Sequence, residues 1–284
     1  MTGNTLGIVV GAGDLPIAIA RAVESGGRAV FLLGLDGVTD PKAIESFPHG
    51  FVGLGELGRA LKLLREAGCS QITFAGKVSR VELGRLKLDA KGAMALPRVM
   101  AAAVKGDDAL LRAILGVFER EGLEIVGSAD VARDLLAPIG PLGNLKPTAE
   151  DESDIVHGMR VVHAMGALDI GQAAVVCRGL VLAVEAAEGT DAMLTRVASL
   201  SEALRGTPSH RRGVMVKTVK PHQERRVDLP VVAERTIELA AAAGLAGLAI
   251  HAGAVLLVDR GKIAATADRL GFFVHGFKPE ATQS

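Results

Sequence analysis

The chain has 284 residues and carries 32 Lys and Arg against 32 Asp and Glu. A chain without net charge lacks the basic field that neutralises nucleic-acid phosphates, so nucleic acid is not expected as a partner. Hydrophobic residues make up 49%, an ordinary globular composition, and the length suits two domains of medium size. With no Trp, no Tyr and 8 Phe, stacking on bases is expected to contribute little.

The sequence carries no signal that directs a protein out of the cytoplasm. Its N-terminus has no charged leader and soon enters a strand-like run, 6–10, unlike a secretory signal. The longest apolar stretch, 239–250, is shorter than the roughly 20 residues that span a bilayer. Cys69 and Cys177 are too far apart for a disulfide framework or a metal knuckle. We therefore expect a cytoplasmic protein whose only membrane contact would be peripheral.

The first half alternates short apolar runs with amphipathic runs. Residues 6–10 and 28–33 are strand-like and flank a helical stretch, 16–25, which together predict a β–α–β unit. The pattern continues with a buried strand and three helices, at 71–75, 57–67, 96–104 and 109–121. A parallel sheet covered by helices, a Rossmann-like domain, is predicted for residues 1–140.

A proline- and glycine-rich stretch, 137–151, predicts the connection to a second domain at 150–284. There, two apolar runs around Arg178-Gly179 predict a hairpin. The other predicted elements are helices at 154–165, 231–243 and 262–270, an extended run at 213–216, a strand pair around Gly253 and a strand at 272–274. This domain is predicted to be α/β with a mixed sheet, so the fold class is α/β with two domains.

The loop after the first strand, Gly11-Ala12-Gly13-Asp14-Leu15-Pro16, is typical of a phosphate site at a helix N-terminus. Pro16 replaces the third glycine of the dinucleotide fingerprint, and it suits the first helical position better than close helix–strand contact. Asp36 stands near the position of a ribose-binding acid, but an acid in a glycine-flanked turn is equally an ordinary turn residue. The pattern indicates an anion site more than a nicotinamide site.

Two further polar loops of the first domain have alternative explanations. Gly76 and Lys77, followed by Arg80, leave the end of a strand and either bind an anion or are simply surface charge. Lys105-Gly106-Asp107-Asp108 lies between two helices, where an aspartate either caps the second helix or contacts a metal or substrate.

Polar loops of the second domain hold the remaining candidates. In 185–191, Thr190 or Asp191 could cap a helix. The three carboxylates Glu185, Glu188 and Asp191 could equally hold a hard divalent cation. Residues 221–230 are a charged loop framed by prolines. With Lys217, this loop offers the carboxylates and cations that diphosphate hydrolysis needs, although it could equally be a solvated loop.

Other hydrolytic sites are not supported by the sequence. The seven histidines show no paired spacing typical of zinc. Neither a GxSxG motif nor a cysteine with a local catalytic signature is found, so water is the expected nucleophile.

Six motifs, in order and spacing, resemble the LpxI family of UDP-2,3-diacylglucosamine diphosphatases. They are Gly11-Ala12-Gly13-Asp14-Leu15-Pro16, Phe74-Ala75-Gly76-Lys77-Val78, Lys105-Gly106-Asp107-Asp108, Asp169-Ile170-Gly171-Gln172, Glu188-Gly189-Thr190-Asp191 and Gln223-Glu224-Arg225-Arg226-Val227-Asp228-Leu229-Pro230. The resemblance covers nearly the whole chain. It implies a cytoplasmic hydrolase of lipid A biosynthesis that requires Mg²⁺ or Mn²⁺ and converts its substrate, held between two domains, to UMP and lipid X.

The resemblance also implies roles for individual residues. Asp228 matches the essential acid of the family, as metal ligand or water-orienting base, with Asp191 and Glu188 as further metal ligands. Lys217 and Arg225 are expected to stabilise charge on the diphosphate. The expected substrate-binding residues are Gly13, Asp14, Gly76, Lys77, Lys105, Asp107, Gln172, Thr190 and Gln223. The assignment is compatible with peripheral contact with the inner membrane and with a homo-oligomer.

Two other functions are compatible with the same residues. A nicotinamide-dependent oxidoreductase would use the first loop and need no divalent metal. A binding protein with two α/β lobes would retain lipid X or its precursor without turnover. Carboxylates at the ends of two loops in the second domain favour catalysis.

Overall fold

The computed structural model describes residues 5–78, 86–221 and 223–278. It divides into two compact units. Unit 1 comprises Met1–Asp134 together with Glu224–Asp228, and unit 2 comprises Leu135–Gln223 and Leu229–Ser284. The sequence prediction placed residues 224–228 in the second domain, whereas the structure groups them with the first.

Unit 1 contains a five-stranded, fully parallel sheet in the order β3-β2-β1-β4-β5. Its strands are β1 Thr5–Val10, β2 Val30–Leu35, β3 His49–Val52, β4 Cys69–Ala75 and β5 Glu124–Ile125. Its helices are α1 Leu15–Ser25, α2 Pro41–Ile44, α3 Leu57–Glu66, α4 Ala90–Ala103, α5 Asp107–Arg120 and α6 Ser128–Val131. The predicted Rossmann-like parallel sheet is confirmed.

The burial of β1 explains its central position. Its last five residues are all buried, as expected for a strand that is covered on both faces of a parallel sheet. Helix α1 turns Ile19, Ala20 and Val23 to the interior, at the three- and four-residue spacing of an amphipathic helix. Elements that the sequence analysis did not predict, such as β3 and the two-residue β5, complete the unit.

Unit 2 is built on a six-stranded sheet in the order β6-β13-β11-β9-β7-β8. Its strands are β6 Gly140–Pro141, β7 Ala173–Cys177, β8 Leu180–Val184, β9 Val214–Lys217, β11 Gly247–His251 and β13 Phe273–Phe277. Strands β9, β11 and β13 are parallel, whereas β7 is antiparallel to both β8 and β9. The mixed sheet and the hairpin around Arg178-Gly179 are therefore as predicted.

Helices and a small second sheet complete unit 2. The helices are α7 Ala149–Ala167, α8 Thr190–Ala198, α9 Glu234–Ala242 and α10 Arg260–Leu270. The strands β10 Val231–Val232 and β12 Leu256–Leu257 pair in parallel, so residue 231 begins a strand and not the predicted helix. The predicted strand pair around Gly253 is wrong as a pair, because β11 and β12 belong to different sheets.

The start of α7 explains why the proline-rich connection ends where it does. The Thr148 hydroxyl accepts from the Asp151 backbone N–H, and the Asp151 carboxylate accepts from the Thr148 backbone N–H. This capping box satisfies N–H groups that the first helical turn leaves without intrahelical partners.

No helix in the described ranges is long and apolar enough to cross a membrane.

Candidate active site

The loops after β1 and β4 meet at the carboxyl edge of the unit 1 sheet. Ala12 and Lys77 exchange backbone hydrogen bonds of 2.8 and 2.9 Å, and the Gly11 N–H donates to the Ala75 carbonyl at 2.7 Å. A Cβ on Gly11 would lie 2.7 Å from the Gly76 carbonyl carbon, so only glycine allows this approach. The structure therefore brings the predicted binding residues Gly13, Asp14, Gly76 and Lys77 to one edge, where open α/β sheets bind ligands.

The same bonds limit how this edge can hold an anion. The amides of Gly11 and Ala12 donate to neighbouring backbone, so an anion here would use N–H groups further along the loop. Gly13 has φ +97°, a conformation that glycine adopts without strain. Pro16 is the second residue of α1, not the first as predicted, and Asp36 lies exposed in a turn before Gly37 with φ +75°. Asp36 is thus an exposed turn residue.

Helix α5 begins differently from the sequence prediction. Its N-cap is Gly106, and Asp108 caps nothing: its Oδ1 accepts from the Glu224 backbone N–H at 3.2 Å and its Oδ2 lies 2.5 Å from Arg112. Lys105 is exposed. The side chain of Asp107, like Arg80 and His222, lies outside the described residues. Asp108 thus helps hold residues 224–228 in unit 1.

Residues 224–228 form a turn fixed by an arginine. Arg226 pairs with both carboxylate oxygens of Glu224, at 2.9 and 3.0 Å, and with Glu119 at 2.8 Å. Its carbonyl accepts from the Ser128 N–H at 2.9 Å. These carboxylates raise the pKa of Arg226 above its already high ordinary value, and Arg226 in turn lowers the pKa of Glu224. Arg226 is therefore an anchor of this turn.

The turn carries two predicted catalytic residues. Asp228 is partly buried, and its backbone N–H donates to the Glu224 carbonyl at 3.0 Å. Arg225 is exposed and forms no hydrogen bond or ion pair with the rest of the described chain. Gln223, in unit 2, accepts from the Lys220 backbone N–H at 3.1 Å, which is a local turn contact.

A buried polar cluster lies at one edge of the unit 2 sheet. Lys217 ends β9, Glu185 follows β8 and Gln172 precedes β7, and because β7 runs antiparallel to its neighbours these three positions share an edge. Lys217 and Glu185 are only 5% and 6% exposed. Thr190, the first residue of α8, completes the cluster.

Hydrogen bonds link the cluster into a chain. Lys217 Nζ donates to Thr190 Oγ1 at 2.9 Å and to the Val231 carbonyl at 3.1 Å. Thr190 Oγ1 donates to Glu185 Oε1 at 2.6 Å, and Glu185 Oε2 accepts from the Gln172 backbone N–H at 3.3 Å. Burial lowers the pKa of Lys217, while Glu185 and Asp191 act to raise it. The cluster is therefore a buried cation and a buried carboxylate bridged by a hydroxyl.

This geometry corrects the predicted role of Thr190 and adds Glu185 to the site. Gly189, not Thr190 or Asp191, precedes the first turn of α8 as its N-cap. Thr190 instead uses its hydroxyl between Lys217 and Glu185. Glu185 was visible in the sequence only as one of three carboxylates after a strand, without the strand order that places it beside β9. The side-chain oxygen of Gln172 is buried and accepts no hydrogen bond from any described residue.

The metal ligands implied by the resemblance do not form a metal site within this structure. Glu188 pairs with Arg196 at 2.8 Å and Asp191 with Arg235 at 2.9 Å, so both carboxylates are neutralised by arginines. Across residues 5–78, 86–221 and 223–278, no three His, Cys, Asp or Glu side chains are grouped as metal ligands. Within the described residues, Glu188 and Asp191 are therefore ion-pair partners of arginines, and the metal requirement stays a prediction.

Comparisons with known proteins agree with the motifs. A model of the LpxI N-terminal domain matches residues 5–135, and a model of the LpxI C-terminal domain matches residues 138–275. A Caulobacter vibrioides protein named UDP-2,3-diacylglucosamine pyrophosphatase LpxI is 49% identical over 275 residues, 97% of this chain and 98% of that protein. A crystal structure of isoflavone reductase covers 99% of this chain and 80% of its own at 10% identity and TM-score 0.28, too low to bear on the fold.

Proposed function

Because this chain belongs to the LpxI family, we propose that it hydrolyses the diphosphate of UDP-2,3-diacylglucosamine to UMP and 2,3-diacylglucosamine 1-phosphate, lipid X. The observation that carries the proposal is the 49% identity, over 97% of the chain, to a protein named for this substrate. The reaction is a step of lipid A biosynthesis.

Hydrolysis joins a water oxygen to one phosphorus of the diphosphate and breaks the bond from that phosphorus to the bridging oxygen. The proton lost by water passes to a base, and the leaving phosphate carries the bond's electron pair as negative charge. Such reactions are accelerated mainly by positioning and by cations that stabilise the charge of the transferring group. The protein must therefore supply a base and at least one fixed cation.

Lys217 is the fixed cation. An ammonium has three N–H donors, and Lys217 gives two of them to Thr190 and Val231 within the described chain. The third N–H is left for a phosphate oxygen. In this buried setting, a hydrogen bond from an ammonium to a phosphate is stronger than it would be in water. Arg225, exposed on its turn, provides a second positive charge.

Asp228 is the base that orients and deprotonates water. Its turn is held in place by Arg226, Glu224 and Glu119, so the carboxylate is carried on a fixed backbone. A positioned carboxylate typically contributes about 10²–10⁴-fold as a general base.

The substrate contacts that the resemblance implies are part of the same proposal. The edge formed by the loops after β1 and β4, with Gly13, Asp14, Gly76 and Lys77, contacts the sugar phosphate or the nucleotide. Further contacts come from Lys105, Asp107, Gln172 and Gln223.

The metal requirement implied by the resemblance is a separate proposal. It predicts that UMP release stops in the presence of EDTA and returns when Mg²⁺ or Mn²⁺ is added. Activity that is unchanged by EDTA would overturn it without affecting the reaction proposed above.

The reaction itself is tested by incubating the purified protein with UDP-2,3-diacylglucosamine and Mg²⁺ or Mn²⁺ and measuring UMP. We expect UMP and lipid X in equal amounts, and loss of both in Asp228→Ala. The matched Asp36→Ala variant, which changes an exposed turn carboxylate in unit 1, is expected to retain turnover. No UMP from the wild-type protein under either metal would overturn the proposal.

A further inference from the structure

Glu185 has no task in the reaction described so far, although it is the buried carboxylate of the cluster. It is 6% exposed. Both of its carboxylate oxygens are used inside the protein, by the Thr190 hydroxyl and the Gln172 backbone N–H. A buried carboxylate is costly unless a positive charge and hydrogen bonds compensate it. A carboxylate buried at this position therefore requires a positively charged partner.

The positive partner is Lys217, reached through Thr190. A hydroxyl has one proton to donate and lone pairs to accept with. Because the proton goes to Glu185 at 2.6 Å, the hydroxyl accepts from Lys217 at 2.9 Å. The direction of the chain is thereby fixed, from lysine to threonine to glutamate. The second bond of Lys217, to the Val231 carbonyl, restricts the ammonium further.

We propose that Glu185 is a positioning residue for diphosphate hydrolysis, which acts through Thr190 to hold the Lys217 ammonium where its remaining N–H meets a phosphate oxygen. The inference rests on the proposed function. The sequence analysis expected Thr190 to contact the substrate. In this proposal, Thr190 is instead a bridge within the protein. Glu185 itself touches no reacting atom.

The charges around Lys217 support this role. Burial lowers the pKa of the ammonium, and the negative charges of Glu185 and Asp191 oppose that effect. Asp191, on α8, is itself paired with Arg235 of α9 at 2.9 Å, so part of its charge is offset. Glu185 is the partner linked to the lysine by hydrogen bonds, and its charge favours the protonated form of the ammonium.

The test compares kcat and KM for UMP release in four variants. Glu185→Gln keeps the size of the side chain and removes its charge, Thr190→Val breaks the bridge, and Thr190→Ser restores it. The control is Glu234→Gln. Glu234 also accepts from a threonine hydroxyl, that of Thr266 at 2.7 Å, but this hydrogen bond does not lead to a lysine. A displaced catalytic group of this kind costs about tenfold or more, so kcat should fall by that factor in Glu185→Gln and Thr190→Val.

The expected pattern is a loss in kcat with little change in KM, recovery to within about threefold in Thr190→Ser, and near-wild-type kcat in Glu234→Gln. The alkaline fall of kcat in Glu185→Gln should also move to lower pH, because the ammonium loses the charge that favours it. Wild-type kcat in both Glu185→Gln and Thr190→Val would overturn the inference. So would a reduced kcat with a lower melting temperature and an unmoved alkaline limb, which indicates a structural role. If the wild-type protein releases no UMP, it is the proposed function that fails.

Discussion

The Lys217 cluster of unit 2 and the Arg226 turn of unit 1 both join a cation to carboxylates, but their surroundings differ. Lys217 is almost fully buried and reaches Glu185 only through a hydroxyl. The Arg226 side chain is 41% exposed and donates two hydrogen bonds to the Glu224 carboxylate, one to each oxygen. In a bidentate arginine–carboxylate pair, the two charged groups are bonded to each other. The buried Lys217 ammonium instead keeps one N–H for a phosphate oxygen of the substrate.

The difference assigns the two regions to different tasks. Arginine stays charged at any ordinary pH, and its planar fork fixes the geometry of a turn. A lysine in low dielectric has a pKa that responds to its neighbours and a charge that acts strongly on a bound anion. We therefore expect changes of Lys217, Thr190 or Glu185 to affect turnover, and changes of Arg226 or its partner Glu224 to affect mainly stability.

Between these two regions, the largest effect is expected from Lys217→Met. The substitution removes the cation while keeping a side chain of similar length, and loss of one fixed charge-stabilising donor typically costs about 10²–10³-fold in kcat. The matched control is Lys220→Met, a lysine three positions on that pairs with Asp169 at 2.7 Å. UMP release at saturating substrate is the measurement. Equal kcat in the two variants would remove Lys217 from the reaction.

Arg226→Met should act mainly on stability. It removes the paired bonds to Glu224 and the bond to Glu119, whose groups are partly exposed and therefore contribute modestly, about 1 kcal/mol in total. For a protein of this size we expect the melting temperature to fall by about 2–4 °C. Arg225→Met, which changes the exposed neighbour, is the control and should melt like the wild type. Equal melting temperatures for all three proteins would contradict the anchoring role.

The sequence predicted the elements of both regions better than their contacts. The apolar runs of β1, β7 and β8 are local signals, and glycines with positive φ, such as Gly179 at +75°, mark the turns. The partners of Glu185 depend on the order β9-β7-β8, which no local pattern contains. Likewise, Arg226 meets Glu119, a residue 107 positions earlier. Side chains whose role depends on strand order or on distant packing could be named as candidates but not paired.

A smaller effect is expected on the pH dependence of turnover. Burial lowers the pKa of Lys217 below its ordinary value of 10.5, and the reaction needs the protonated form. The value of kcat should therefore be highest at pH values below the pKa of Lys217 in the folded protein. It should fall as pH rises through that pKa, which lies below 10.5. Measurement of kcat from pH 7 upward tests this, with Lys217→Arg as the comparison. If the Arg variant is active, its rate should not fall in the same range, because arginine stays protonated. An identical fall in that active variant would assign the titration to another group.

The smallest effect is expected from Glu224 in acid. Arg226 lowers the pKa of this carboxylate below its ordinary value of 4.5, so the pair's contribution to stability is complete above about pH 4.5. It is lost as pH falls through the lower pKa of the folded protein, where Glu224 becomes protonated. Near pH 6, the free energy of unfolding of Glu224→Gln should thus be lower than that of the wild type by less than about 1 kcal/mol. Its melting temperature should be slightly lower as well. The two melting curves should converge toward pH 3. A difference that persists in acid would mean that Glu224 stabilises its turn through the bonds of its neutral form, and the anchoring of this turn would then depend on shape more than on charge.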